Sequence, residues 1–145
     1  MVNAFTVSLV SWHDGGPLLR AVREVVFIRE QGVPEELEWD EFDETCRHAL
    51  ALSLQGEAIG SGRLLTNGHI GRIAVLPQWR GKKVGTAIME ALLAEARGRH
   101  FKQVDVDAQV QAMPFYHSFG FREKGKPFMD AGLPHIRMIK SLLAD

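Results

Sequence analysis

A basic, glycine-bearing loop between two apolar runs is the part of the sequence best suited to chemistry. The loop reads Arg80-Gly81-Lys82-Lys83-Val84-Gly85 and follows the apolar run Ile73-Ala74-Val75. The start of a helix leaves backbone N–H groups free and carries partial positive charge, so it binds anions. Glycine lets a phosphate approach the backbone closely, and basic residues at this end of a helix favour an anionic ligand. A pyrophosphate fits these features; on spacing alone, an ordinary basic strand–helix connection fits them equally well.

Two other phosphate-binding patterns are not supported by the residues present. A dinucleotide-binding loop requires Gly-x-Gly-x-x-Gly after a strand, and the residues from Gly81 to Gly85 do not supply it. The segment 120–126 has the glycine and lysine spacing of a P-loop, but Pro127 stands where the magnesium-binding hydroxyl must be. No helical pattern follows that segment, so we interpret the match as chance.

An acidic stretch forms the second unusual feature. The stretch 35–44 holds seven carboxylates in ten residues and is either a loop or a short, frayed helix. It either attracts a cationic amine or forms a solvated acidic face, and the solvated face is the commoner case. Trp39 and Phe42 within it either line a pocket for an acceptor or pin the segment to the core.

The elements that position these groups follow from local patterns. Alternating apolar residues predict a first strand over 5–10. Asp14-Gly15-Gly16-Pro17 has the form of a cap and helix start, because proline at the first helical position loses no hydrogen bond. Gly32 and Pro34 end this helix. Asn67-Gly68 between two apolar runs predicts a hairpin.

The remaining pattern completes an α/β domain of the α+β type. Strands are predicted over 48–54, 58–66, 69–76, 104–108, 121–124 and 136–142, and helices from Val84 to about His100 and over 114–119. The middle strands form an antiparallel meander, and the helical crossover brings the next strand in parallel, which gives a mixed central β-sheet flanked by helices. No linker interrupts the order, so residues 1–145 are predicted to form a single domain.

Composition excludes several classes of protein. The chain of 145 residues has a formal net charge of −1, which lacks the basic footprint of a nucleic-acid binder. Cys46 is the only cysteine, so no disulfide forms within the chain and a reducing cytoplasm is the simplest setting. The start of the chain reads as a strand rather than a signal peptide, and no run is long enough for a membrane helix. No metal site is predicted.

The loop and a second motif together resemble the GNAT superfamily of acyl-CoA-dependent N-acyltransferases. The family's loop signature, Gln/Arg-x-x-Gly-x-Gly/Ala, falls on Arg80 to Gly85. Its second pattern, Ala-x-x-Phe-Tyr-x-x-x-Gly-Phe, falls on Ala112 to Phe121. Lys83 stands where the family often has glycine. The order of elements agrees with the GNAT fold along nearly the whole chain.

A closer resemblance is to the small ElaA-like branch of this superfamily. It rests on Val26-Phe27-Ile28-Arg29-Glu30-Gln31, Arg47-His48, the loop from Arg80 to Gly85, Ala108-Gln109 and Gly132-Leu133-Pro134-His135-Ile136. The resemblance implies direct transfer of an acetyl or short acyl group from acetyl-CoA, or another acyl-CoA, to the amine of a small molecule or peptide.

The resemblance also implies how the donor binds. The pyrophosphate is expected on the N–H groups from Gly81 to Thr86, and the pantetheine arm is expected to extend strand Ile73-Ala74-Val75 by backbone hydrogen bonds. An N–H near Val75 then polarises the thioester carbonyl. The residues expected to contact the cofactor are Ile73, Ala74, Val75, Arg80, Gly81, Lys82, Lys83, Val84, Gly85, Thr86, Gln109 and Phe115.

Proton transfer is assigned by the same resemblance. Tyr116, the only tyrosine, occupies the family's general-acid position; the alternative is a tyrosine packed on the core with its hydroxyl bonded elsewhere. The base that deprotonates the amine stays open among Glu30, His135, His48 and ordered water. A non-catalytic acyl-CoA-binding sensor is the alternative function, and a homodimer paired through the last strand also stays open.

Overall fold

Two antiparallel sheets form the framework of the chain, which a computed structural model describes over residues 4–143. The first sheet has four strands in chain order: β1 (Phe5–Val10), β2 (Arg47–Ser53), β3 (Ala58–Leu64) and β4 (Ile70–Val75). The second has three strands, β5 (Gln103–Gln109), β6 (Arg122–Asp130) and β7 (Leu133–Ser141), with β7 in the middle. The sheets and their helices confirm the predicted α and β fold class.

Four helices accompany the sheets in the described residues. In chain order they are α1 (Trp12–Arg23), which continues as a π-helical segment (Glu24–Glu30), then α2 (Glu35–Glu38), α3 (Val84–Gly98) and α4 (Met113–His117), and α1 and α3 pack on the first sheet. Single 3-10 turns occupy Glu41–Glu44, Pro77–Trp79 and Val110–Ala112. Within residues 4–143, no helix combines the length and apolar character that crossing a membrane requires.

The first helix begins earlier than predicted. The Ser11 side chain accepts a hydrogen bond from the Asp14 N–H at 3.0 Å, so Ser11 is the cap and Trp12 the first helical residue. Pro17 therefore lies inside the helix, and its predicted place at the helix start is wrong. Gly15 is not part of a cap but allows close packing, because a Cβ there would lie 2.7 Å from Val10 Cγ2.

The two sheets touch at one point and then separate. As predicted, α3 brings β5 parallel to β4, and the contact is a single bridge between His69 and Asp105. The Asp105 N–H donates to the Gly68 carbonyl at 3.1 Å, and His69 Nδ1 lies 2.5 Å from Asp105 Oδ1. Beyond this bridge β4 pairs with β3 alone among the described strands. The edge of β4 that faces β5 is therefore open.

Most predicted strand boundaries agree with the structure, and β6 is the main exception. The Asn67-Gly68 hairpin is confirmed, with Gly68 at φ 91°. Strand β6 runs to Asp130 rather than ending near Lys124. Its pairing with β7 shifts between Lys124 and Phe128, where Gly125 has φ 84°. This irregularity interrupts the alternation on which a sequence-based prediction depends.

Close packing of α3 on β3 depends on two glycines, Gly60 and Gly62. A Cβ at Gly62 would lie 2.9 Å from Ile88 Cγ2 and 3.1 Å from Leu92 Cδ1, and both side chains are fully buried. We expect Gly62→Ala to lower the free energy of unfolding by about 1–3 kcal/mol, because a packed interior does not accommodate an added methyl group. Urea unfolding followed by circular dichroism measures this change.

Gly98→Ala is the matched control for this prediction. Gly98 ends α3, and a Cβ there meets nothing within 4 Å. Alanine at this position is expected to be neutral or to stabilise the protein by up to about 1 kcal/mol, because it restricts the unfolded chain. An unchanged unfolding midpoint in Gly62→Ala would contradict the close approach of α3 to β3.

Candidate active site

The basic loop leads directly into the longest helix of the structure. Gly81 has φ 76° and Lys83 has φ 68°, and α3 begins at the next residue, Val84. Left-handed φ values favour glycine, so the conformation of Lys83 explains why glycine suits this position. The side chains of Lys82 and Lys83 are exposed, and Lys82 Nζ lies 5.3 Å from the centre of the Trp79 ring. The helix start thus presents free N–H groups beside two exposed cations.

The open edge of β4 ends near the start of α3. The Leu76 N–H donates to the Ile59 carbonyl on β3 at 2.9 Å. Successive residues of a strand direct their N–H groups to opposite edges, so those of Val75 and Ile73 point to the open edge. Strand β4 also bulges at Arg72, which has φ 53°. A chain with its own amide groups can therefore add to this edge.

Arg80 connects three parts of the site. Its Nε donates to the Val75 carbonyl at 3.0 Å, and its two terminal nitrogens donate to the two carboxylate oxygens of Glu30 at 2.8 and 2.6 Å. The hydrogen bond from Arg80, helped by its charge, holds the pKa of Glu30 below its usual value. The Arg80 side chain is thus directed to Glu30 and Val75, and its contact with a pyrophosphate stays a prediction.

Tyr116 lies on α4 with a free hydroxyl. Its ring packs edge-on against Phe115 and Phe121, at centroid distances of 5.2 and 5.9 Å. Burial raises the pKa of Tyr116 to about 12. The hydroxyl makes no hydrogen bond to any residue of the described range 4–143. A phenol in this state stays protonated at neutral pH and is free to donate.

Phe115 places α4 beside the basic loop. Two atoms of its ring would lie 3.7 Å from a Cβ at Gly85, the second residue of α3. Tyr116, the predicted general acid, is the next residue of the same helix, and its ring packs on the Phe115 ring that reaches the predicted cofactor loop. The γ-methyl of Val75 would lie 3.8 Å from the same Cβ, so the end of β4 reaches this point as well.

His135 and Gln109 lie on neighbouring strands of the second sheet and face each other across β7 and β5. Gln109 and Ile73 are each four residues beyond the His69–Asp105 bridge, on the two strands that separate there. His135 Nδ1 lies 2.9 Å from the Leu133 carbonyl oxygen, which identifies Nδ1 as the protonated nitrogen and leaves Nε2 as an acceptor. The His135 ring is otherwise buried.

His48 occupies a structural position. Its Nε2 lies 2.9 Å from the Asp43 carbonyl oxygen, and its ring packs on Trp12 at a centroid distance of 5.3 Å. Burial lowers the pKa of this imidazole, which keeps it neutral and able to donate to Asp43. Among the side chains considered as the base, Glu30 and His135 therefore remain the better candidates.

Part of the acidic stretch is turned inward, which the sequence did not reveal. Three of its carboxylates bind three arginines in one network: Glu38, Asp40 and Asp43 with Arg23, Arg63 and Arg72. The four exposed carboxylates are Glu35, Glu36, Glu41 and Glu44. The interpretation as a solvated acidic face is thus right for these four and wrong for the other three. A signal was present, since Arg63 interrupts the apolar run of β3.

Arg23 is the centre of this network. It lies 2.8 Å from Glu38 and 2.7 Å from Asp43, and all three side chains are buried. Burial raises the pKa of Glu38 and outweighs the attraction of its arginines. Burial also acts on Asp43, but hydrogen bonding and charge from Arg23 outweigh it and lower the pKa of that carboxyl. The network fixes the acidic stretch against the first sheet.

The two aromatic residues of the stretch have different environments. Trp39 is half-buried, its ring packs at a tilt against Trp12 at a centroid distance of 6.3 Å, and the Arg23 guanidinium lies over it at 5.2 Å. It therefore pins the stretch to the core. Phe42 is 48 % exposed, so it is available on the surface next to the four exposed carboxylates.

Comparison with known proteins places these features in one family. The family described as "Acetyltransferase (GNAT) domain" matches residues 21–142. The uncharacterized N-acetyltransferase YjcF of Bacillus subtilis is 39% identical over 123 residues, which covers 82% of this chain and 87% of YjcF. The crystal structure of Escherichia coli ElaA superposes with a TM-score of 0.84 at 28% identity, covering 94% of this chain and 99% of ElaA.

A third similar protein has an activity stated in the name of its structure. The structure of an acyl-CoA N-acyltransferase from Pseudomonas aeruginosa superposes with a TM-score of 0.83 at 27% identity, and it covers 94% of this chain and 99% of that one. These similarities extend over the loop, the open edge of β4 and α4. Both solved structures are thus similar to this chain over nearly its whole length.

Proposed function

The chain belongs to the GNAT acetyltransferase family, and on that premise we propose that it transfers an acetyl or other short acyl group from acyl-CoA to a primary amine by direct attack. One observation carries the proposal: an open strand edge ends beside a helix start with exposed lysines, and the Phe115 ring, which neighbours the protonated Tyr116 phenol, reaches the same point. The acceptor is a small-molecule or peptide amine in this proposal.

The donor is held by backbone groups and by charge. The pyrophosphate of acetyl-CoA lies on the N–H groups from Gly81 to Thr86, with Lys82 and Lys83 neutralising its charge. Its pantetheine arm runs along the open edge of β4, where the N–H groups of Val75 and Ile73 are directed. Val84, Gly85, Phe115 and Gln109 flank the arm in this arrangement. A β4 N–H that points at the thioester oxygen stabilises the charge that develops there.

The acyl transfer then requires two proton transfers, one to the departing sulfur and one from the attacking amine. The amine nitrogen attacks the thioester carbonyl carbon, the C–S bond breaks, and Tyr116 donates its proton to the departing sulfur. A raised pKa suits this role, because it keeps the phenol protonated until a thiolate forms. The attacking amine gives its proton to a base, for which we propose His135 Nε2 rather than Glu30. The carboxylate of Glu30 is held by Arg80, and its lowered pKa makes it the weaker proton acceptor.

Calorimetric titration with acetyl-CoA tests the donor site. Wild-type protein is expected to bind acetyl-CoA at micromolar concentration. A Gly81→Asp and Lys82→Glu double variant is expected to bind about tenfold to 100-fold more weakly, because two negative groups replace a close backbone approach and a cation. The measurement is repeated with longer acyl-CoAs to define the acyl group.

Lys102→Glu is the matched control for the lysine change, since it makes the same charge reversal as Lys82→Glu at an exposed position beyond the far end of α3. It is expected to leave the affinity unchanged within about twofold, because charges that far apart are screened. Absence of binding to every acyl-CoA by folded wild-type protein would overturn the proposed function. Binding without turnover of any amine would favour a non-catalytic sensor.

A further inference from the structure

The geometry of the Glu30–Arg80 ion pair is more specific than a contribution to the stability of the fold would require. Arg80 and Glu30 are 44% and 40% exposed, and ion pairs this accessible to water add little net stability. Yet the contact is bidentate, spans 50 positions of sequence and includes a third bond from Arg80 to the Val75 carbonyl. A planar guanidinium makes all three bonds at fixed angles, which a lysine does not. The pair therefore fixes the direction of one carbonyl group.

That carbonyl lies on the edge where the donor is proposed to bind. The Val75 N–H and carbonyl both point away from β3, because the Leu76 N–H is bonded to Ile59. Arg80 already donates to the Val75 carbonyl, so a donor from an added chain has to share that oxygen and approach beside a guanidinium. The next acceptor on the same edge belongs to Ile73, two residues further along. Donors on this edge remain available at both Val75 and Ile73.

We propose that Glu30 and Arg80 are positioning residues that set the register at which the acyl-CoA arm lies along β4. This inference rests on the proposed function. Bonds along one strand edge repeat every two residues, so a slip to the next register moves the arm by about 7 Å. By donating to the Val75 carbonyl and standing in front of it, Arg80 disfavours the register in which a pantetheine amide donates there. Glu30 holds Arg80 in place.

Amide exchange measured by NMR on the 15N-labelled protein tests the register directly. In the wild type, saturating acetyl-CoA is expected to slow exchange of the Val75 and Ile73 amide protons. Arg80→Met and Glu30→Gln are each expected to reduce this protection about tenfold while acetyl-CoA stays bound. The double variant is expected to lose no more than Arg80→Met alone, because the two residues act as a unit.

Arg29→Met is the matched control. Arg29 lies in the same π-helical segment and pairs with Glu24 at 2.9 Å, so its replacement makes the same change of charge and side chain. It is expected to leave both protected amides unchanged. Near-ultraviolet circular dichroism verifies that each variant is folded.

Each other outcome has a defined meaning. Undiminished protection in Arg80→Met at saturation overturns the register role, and weaker affinity with that result identifies Arg80 as a phosphate ligand. Loss of protection in Arg80→Met but not in Glu30→Gln overturns the role of Glu30. These results leave the proposed function standing. Failure of the wild type to bind any acyl-CoA overturns the proposed function and this inference together.

Discussion

Replacing Tyr116 by phenylalanine is expected to lower kcat for acyl transfer by about 100-fold or more, with little change in affinity for acetyl-CoA. Positioned proton donors contribute about 10²–10⁴ to a rate. The ring packs edge-on against Phe115 and Phe121, and phenylalanine preserves those contacts. Only the hydroxyl is removed. Steady-state kinetics with an amine found by screening, together with calorimetry, separate the effects on kcat and on binding.

The pKa of Tyr116 adds a second test of the same role. Burial raises this pKa to about 12, so the phenol stays protonated as the pH rises to about 10. The wild type is therefore expected to keep its activity between pH 8 and pH 10, and any loss at lower pH reports the base. A fall of kcat with an apparent pKa near 8 in the wild type, absent in Tyr116→Phe, would contradict the raised pKa.

His117→Gln controls for general damage to α4. His117 is the next residue along, is exposed and bonds to Glu123, so its replacement perturbs the same short helix without touching the phenol. Its kcat is expected to remain within about threefold of the wild type. Wild-type kcat in Tyr116→Phe would remove tyrosine from the mechanism and leave the thiolate to be protonated by water.

The site features predicted from sequence are those that depend on neighbours along the chain. A glycine-bearing loop before an amphipathic helix is a local pattern, and the loop from Gly81 into α3 follows it. The hairpin at Asn67-Gly68 is local in the same sense. Tyr116 is placed by a motif within one short helix. Local chemistry therefore predicts the loop, the hairpin and α4 with nearly correct boundaries.

Features that depend on distant partners escaped prediction. Arg80 meets Glu30 across 50 positions, and Arg23 meets Asp43 across 20. The spacing of the acidic residues does not predict which carboxylates are buried, because their burial depends on arginines from other elements. The open edge of β4 was expected only from the family resemblance, since the pattern of apolar residues is alike for a strand paired on one edge or on two. The first helix shows the limit of a local pattern. Asp14 to Pro17 has the form of a helix start, but Ser11 caps the helix three residues earlier.

The buried network predicts the largest loss of stability. Arg23→Met is expected to lower the free energy of unfolding by about 3–5 kcal/mol at pH 8, because it leaves buried carboxylates without their partner. Arg23 donates to Glu38, to Asp43 and to the Glu38 carbonyl, so three acceptors lose a donor at once. For a chain of this size the midpoint of thermal unfolding falls by about 10 °C. Calorimetry and urea unfolding measure both quantities.

Arg20→Met supplies the comparison on the same helix. Arg20 is exposed, and its guanidinium lies 4.6 Å from the centre of the Trp12 ring. Its loss is expected to cost no more than about 1 kcal/mol. Equal effects of the two substitutions would mean that the buried ion pairs add nothing beyond stacking on tryptophan.

The penalty in Arg23→Met is also expected to depend on pH in one direction. Burial already raises the pKa of Glu38, and removal of Arg23 raises it further. A carboxyl whose folded pKa exceeds its unfolded value destabilises the folded state above that pKa, and the penalty shrinks as the pH falls toward it. Asp43, whose pKa is lowered in the wild type, loses its contribution only below its unfolded value near 3.8, so it does not reverse this trend. The loss is therefore expected to be smaller at pH 5 than at pH 8, and a loss equal at both values would show that Glu38 finds another partner or reaches water.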